Sequence, residues 1–314
     1  MIKYVGKRLF YAILTILTLT VLTFFMMRML PGDPFIGNKA IPEVTMEALN
    51  RKYGLDKPVL EQLIIYISNA FRGDLGVSIK YNRPVTDIIS QAFPYSFELG
   101  IRALIFATIM GVLLGIVAAV KRGTKWDSLA MFFAIVGVSV PNFIIGSLLQ
   151  YLLGLKLYQW TGVKFFPITG WGSVASKLIP SFALSFSSLA TISRLMRTSM
   201  LDVLGQDYIK TAKSKGLSQK KIIWKHAVRN AIMPVITVLG PIAASVLTGA
   251  FVVENIFSIP GMGRFFVMSI QDQDYTMISG ITLFYGIFLV AANLMVDLAY
   301  GFIDPRVKLT EGRE

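Results

Sequence analysis

The chain has 314 residues, 54% of them hydrophobic, with no cysteine and a formal charge of +13. Its mean hydropathy of +0.62 excludes an ordinary soluble domain of this length, and the missing thiols exclude disulfides, a cysteine nucleophile and cysteine-held metal. The charge does not demand nucleic acid, because membrane proteins gather Lys and Arg on their cytoplasmic side for topological reasons alone.

Six apolar stretches approach the ~20 helical residues needed to cross a bilayer core. The first, 9–30, stops at "PGDPF"; it is too long for a signal peptide and lacks a small-x-small cleavage site, so it is expected to stay as an anchor. Residues 31–98 form the largest excursion, with evenly mixed charge. Within it Val59 to Phe71 is apolar but short, which suits an interfacial or packed amphipathic helix.

The second stretch, 99–120, carries Gly111 and Gly115 as a G-x-x-x-G pair, a pattern that lets helices approach closely. It ends at "KRGTKWD". The third, 129–155, is interrupted by Pro141, and the fourth, 178–192, is Ser-rich and weaker. The fifth, 232–253, holds Gly240, Ala244, Ser245 and Gly249 around Pro241, so it is expected either to pack tightly or to line a pathway. The sixth runs over 277–300.

Orientation follows from charge. One side would hold the N-terminus, residues 121–128, residues 193–231 and the C-terminal tail, with 18 Lys or Arg against six carboxylates. That side is expected to be cytoplasmic, with both termini inside and 31–98 outside. Arg28 and Arg102 lie near span ends, where they can snorkel, and Asp297 lies near the cytoplasmic end of the sixth. No carboxylate falls at mid-span, which argues against an ion-coupled secondary carrier.

Catalytic motifs are missing. No G-x-x-x-x-G-K-[ST] occurs, His226 has no zinc-site context, Ser218 of the S-x-x-K with Lys221 suits a helix N-cap, and Gly170 to Ala175 mimics a dinucleotide fingerprint without a preceding strand. An enzyme is not expected.

The densest basic stretch is "DYIKTAKSKGLSQKKIIWKHAVRN", Asp207 to Asn230. Leu201, Leu204, Tyr208 and Ala212 recur at i, i+3, i+7 and i+11, the period of one helix face. Gly216 stands where a C-cap belongs. A second helix is expected from Ser218, with Ile223, Trp224, Ala227 and Val228 as its apolar stripe and Lys221, Lys225 and Arg229 as a basic ridge. Two amphipathic helices jointed at a glycine make a compact knob: its charge alone would serve to set topology or to bind anionic headgroups, while its helix-turn-helix shape, which neither role requires, suits a protein partner.

"YIKTAKSKGL" followed by "HAVRNAIMP" resembles the cytoplasmic loop of ABC-importer permeases, with Lys210-Thr211-Ala212 in place of E-A-A and Gly216 on the glycine. "RLMRTSMLDVL", "MLPGDPF", "KWDSLAM", "SIPGMG", "DYTM" and "DPR" extend the resemblance to the oligopeptide/dipeptide branch from end to end. It implies an all-α fold of six transmembrane helices, importer-type, in a bacterial cytoplasmic membrane, as a single permease domain. It also implies partners: a second homologous permease, two ATP-binding subunits that hold ATP and Mg, and an extracytoplasmic substrate-binding protein. No cofactor is expected in this chain. By the same resemblance Lys210, Thr211, Ala212, Lys215, Gly216 and Leu217 belong to the element, within 193–231, that couples to the ATPase. Substrates implied are oligopeptides or dipeptides, with nickel or other metal chelates and glycosides as alternatives.

Overall fold

The computed structural model describes residues 2–29, 51, 54, 56–248 and 250–303, with side chains from residue 6 to residue 295. Residues 30–50, Gly249 and the side chain of Asp297 lie outside that set. A segment in hydrocarbon must satisfy its own backbone hydrogen bonds, and a helix does so locally. Among the described residues the structure is accordingly helical, with one isolated bridge between Val77 and Pro84.

In chain order the helices are α1 (Ile2–Met29), α2 (Val59–Phe71), α3 (Val85–Val120) and α4 (Lys125–Ser139). Then come α5 (Asn142–Thr161), α6 (Val174–Leu204), α7 (Asp207–Ser214) and α8 (219–231). The last four are α9 (Met233–Thr248), α10 (Phe251–Ile256), α11 (Met262–Gln271) and α12 (Tyr275–Ile303). Among the described residues five stretches are long and apolar enough to cross a membrane: α1, α3, α6, α9 with α10, and α12. The pair α4 and α5, bent by 111°, brings the number to six. The bend has a local cause. Pro141 disfavours helical backbone at Val140, which turns extended (φ −99°, ψ 124°).

The chain divides into two compact units, one of residues 1–95 and 261–314, the other of 96–260. In the first, α1 packs on α12. A Cβ on Gly286 would come within 2.5 Å of Leu19, and one on Gly280 within 2.6 Å of Val85. Phe93 meets Phe284 and Phe288 edge-on. Arg28 lies 3.6 Å over the ring of Phe24 and donates to Gln62 of α2.

A buried carboxylate closes this unit. Asp274 accepts the Ser78 hydroxyl and the Lys80 N–H on one oxygen, while the other accepts the Met277 N–H and so caps α12. The Asp272 carboxylate pairs with the Lys80 ammonium at 3.1 Å.

The second unit is built around α6, which is mostly buried and continues well past the Ser-rich stretch into the basic region. Its low apolarity has a packing cause. Buried Ser176, Ser181, Ser185 and Ser193 are small enough to admit neighbouring backbones. Cβ atoms on Gly111 and Gly115 of α3 would come within 2.8 Å of Ile192 and 2.6 Å of Met196, and one on Gly137 of α4 within 2.7 Å of Ala190. Two apolar clusters fill the unit. One runs from Ala107 and Ile116 through α6 to Ala231 and Val235, and the other gathers Leu99, Trp171, Ile179, Val246 and Phe257. Glu254, one residue beyond the expected end of the fifth span, is fully buried at the end of the apolar stretch Met233–Ile256.

Candidate functional site

The basic stretch folds as a knob of two helices beyond the end of α6. α6 stops at Leu204, and Gln206 turns extended (φ −73°, ψ 151°) as the N-cap of α7. The expected face therefore needs correction. Leu201 and Leu204 end one helix, while Tyr208 and Ala212 belong to the next; Leu201, Leu204 and Ala212 still pack on one apolar cluster, and Tyr208 turns away from it. The buried pair on α7 is Ile209 and Ala212, and Tyr208 is exposed.

The end of α7 is closed by its glycine. Leu217 N–H reaches Ala212 C=O at 3.3 Å and Gly216 N–H reaches Lys213 C=O at 2.9 Å, the paired bonds of a Schellman motif. Gly216 has φ +71°, the left-handed conformation that glycine adopts without steric cost.

In α8 the expected stripe is shifted. Ile222 and Ala227 are buried, five residues apart, with Ala231 four further on. The cause is a π-helical turn over Ile222–Ala227, which inserts one residue into the helical repeat. Ile223 and Val228 are half-buried, and Trp224, placed in the apolar stripe by an α-helical count, is 57% exposed. No pattern of types signals this; only the backbone register does. α7 and α8 are pinned to each other by Asn230, which donates to the Tyr208 hydroxyl at 2.8 Å.

The residues singled out from sequence fall into two sets. Lys210, Thr211, Lys215 and Gly216 are exposed, whereas Ala212 is buried and Leu217 half-buried. Lys210 pairs with Asp207 at 2.9 Å on the surface, and the Thr211 hydroxyl returns to the Asp207 carbonyl at 3.0 Å. Lys221, Lys225 and Arg229 are exposed on α8. Underneath, Ile209, Ala212, Ile222 and Ala227 join one continuous cluster with Met196 and Met200 of α6 and Ile116 and Ala119 of α3. A close-packed cluster of this kind transmits displacement rather than absorbing it.

On the fifth span, Gly240 and Ala244 are buried within the unit while Ser245 is exposed. The fourth candidate there, Gly249, lies outside the described residues.

Comparison with known proteins places this geometry. Residues 111–309 match the family described as "Binding-protein-dependent transport system inner membrane component", and residues 1–100 match its N-terminal companion. The chain is 47% identical to the dipeptide transport system permease protein DppB of Bacillus subtilis (strain 168), covering 98% of this chain and 99% of that one. It is 38% identical to the oligopeptide transport system permease protein OppB of Haemophilus influenzae, covering 98% and 100%. Among solved structures it resembles an amino acid ABC transporter with histidines, with TM-score 0.52 and 15% identity over 72% of this chain and 96% of that chain. That likeness is one of fold.

Proposed function

The chain belongs to the family of binding-protein-dependent transport system inner membrane components, and on that footing we propose that it is the translocation subunit of an ATP-driven importer of dipeptides or oligopeptides. The names of both relatives and their end-to-end match support the peptide class. In this reading the chain performs no chemistry and holds no cofactor. Two partner ATPases bind ATP and Mg, a second homologous permease completes the pathway, and an extracytoplasmic binding protein delivers the peptide. Both termini lie in the cytoplasm, and residues 31–98 face outward.

The observation that carries the coupling role is the continuity of the knob with the membrane helices. Lys210, Thr211, Lys215 and Gly216 offer the partner an outer face, while Ala212 and Leu217 tie that face to α6 and α3 through the shared cluster. ATP-driven closure of the ATPases moves the knob, and the packed helices follow it between inward and outward access. The fifth span, with Gly240, Ala244, Ser245 and Gly249, is the proposed wall of the pathway.

The test is uptake of a labelled dipeptide into vesicles holding the complete importer. Gly216→Asp is expected to abolish ATP-dependent uptake while the subunits still assemble. Accumulation that continues without the ATPase subunits overturns the reading.

A further inference from the structure

Within the second unit, α3, α5 and α6 line an open-sided cavity of about 690 Å³, inside the ~300–1,000 Å³ range of small-molecule sites. Ile105, Phe106 and Ile109 of α3, Leu153 of α5 and Phe182 of α6 furnish its apolar walls, and Arg102 and Lys177 stand at its polar end. Ser181 brings the one side-chain hydroxyl of the lining. It is 8% exposed, and its hydroxyl has no hydrogen-bond partner among the described residues.

The two cations share a single carboxylate. Glu98 Oε1 accepts from Arg102 Nε at 2.9 Å and from Lys177 Nζ at 2.8 Å, and Oε2 accepts from Trp171 Nε1 at 2.9 Å. One negative charge against two positive ones leaves the cluster cationic, and a guanidinium with five donors and an ammonium with three keep some free. Lys177 also lies 5.2 Å from the centre of the Trp171 ring, a residue type favoured where hydrocarbon meets headgroups.

Two kinds of occupant combine an anion with an apolar body: a peptide end and a lipid. A peptide brings N–H and C=O groups that cost free energy when buried without partners, and the walls offer side-chain polarity only at Ser181. An acyl chain needs none. We propose that this cavity seats one acyl chain of an anionic phospholipid, whose phosphate takes the donors of Arg102 and Lys177 that Glu98 leaves free. Ser181, one helical turn further along α6 than Lys177, is the group suited to a single ester carbonyl. The site rests on this geometry and the membrane setting, not on the identity of the transported substrate.

Native mass spectrometry of the full chain, purified with equal phosphatidylglycerol and phosphatidylcholine, reads the site directly. The wild type is expected to retain phosphatidylglycerol about tenfold over phosphatidylcholine. The triple variant E98Q/R102Q/K177Q, which removes both cations and their carboxylate together, brings the preference to parity. Ile109→Trp fills the cavity and removes the retained lipid of either kind, so it decides the matter if the triple variant does not fold. Unchanged phosphatidylglycerol retention in Ile109→Trp overturns the proposal, as does displacement of the lipid from the wild type by a labelled dipeptide, which assigns the cavity to substrate.

Discussion

Arg197 grips Asp127 with two bonds, Nε to Oδ1 at 2.6 Å and a terminal nitrogen to Oδ2 at 2.8 Å, joining the C-terminal part of α6 to the first turn of α4. The same carboxylate accepts the Gly123 N–H at 3.0 Å, so one side chain ties the 121–124 turn to the helix that leads into the knob. Asp127 is buried and Arg197 half-buried.

Removing one partner leaves the half-buried guanidinium without its carboxylate, a loss of about 1.5–3 kcal/mol for hydrogen bonds between charged groups. Asp127→Asn is therefore expected to lower the thermal midpoint of the detergent-purified protein by several degrees. Arg197→Lys keeps the charge but loses the fork, so its midpoint should fall between wild type and Asp127→Asn. The double change Asp127→Leu with Arg197→Met should recover much of the loss. Equal midpoints for all four proteins would leave the pair without a structural role.

At Gly216 the left-handed backbone sets an order. Gly216→Asn should be mildest, because asparagine tolerates this conformation, with Gly216→Ala costing about 1 kcal/mol and Gly216→Val more. Hydrogen exchange of the α7 amides measures it. A Cβ at 216 meets nothing within 4 Å, so an effect reports backbone strain rather than collision.

Gly115 makes the opposite case. A Cβ there would fall 2.6 Å from both the Met196 Cβ and the Ser193 carbonyl, and overpacking of this kind costs about 1–3 kcal/mol. Gly115→Ala should lower the thermal midpoint measurably, while Gly172→Ala, with open space around it, should leave it in place. Equal midpoints would mean that α3 and α6 separate at little cost.

Asp274 is expected to hold the 76–84 loop. Replacing it with alanine strands the Lys80 and Met277 N–H groups, a loss of about 2–3 kcal/mol from the cap and the buried bonds together. Limited proteolysis should cut Asp274→Ala in this loop at enzyme concentrations that leave the wild type intact. Matching digestion patterns would count against the clamp.

Trp224 separates coupling from folding. Exposed aromatic residues concentrate binding energy where partners dock, so Trp224→Ala should leave the thermal midpoint unchanged yet weaken association with the proposed ATPase partners about tenfold or more. A fall in the midpoint without weaker association would assign Trp224 to packing.

Much of this molecule was legible along the chain because hydrocarbon constrains sequence severely. A helix that crosses lipid needs a long apolar stretch, and a left-handed cap favours glycine, so the membrane helices and Gly216 could be read locally. Local reading failed where register or depth decided. The π turn at Ile222–Ala227 exchanges Ile223 for Ile222 in the buried stripe and turns Trp224 outward, and a backbone insertion of one residue leaves no mark in residue types.

The break at Gly205–Gln206 turns Tyr208 out of a face that periodicity assigns it to. The Ser-rich fourth stretch has low apolarity, yet α6 is the centre of its unit, because its serines pack against other helices instead of facing lipid. Sequence alone determined which segments are able to enter the membrane and where the basic charge collects, since both depend on composition over a few helical turns. Only the tertiary structure decided which side of each helix is covered, that two cations share Glu98, and that Asp127 meets Arg197 seventy residues away. Those pairings depend on how distant helices close-pack, and no local pattern encodes that.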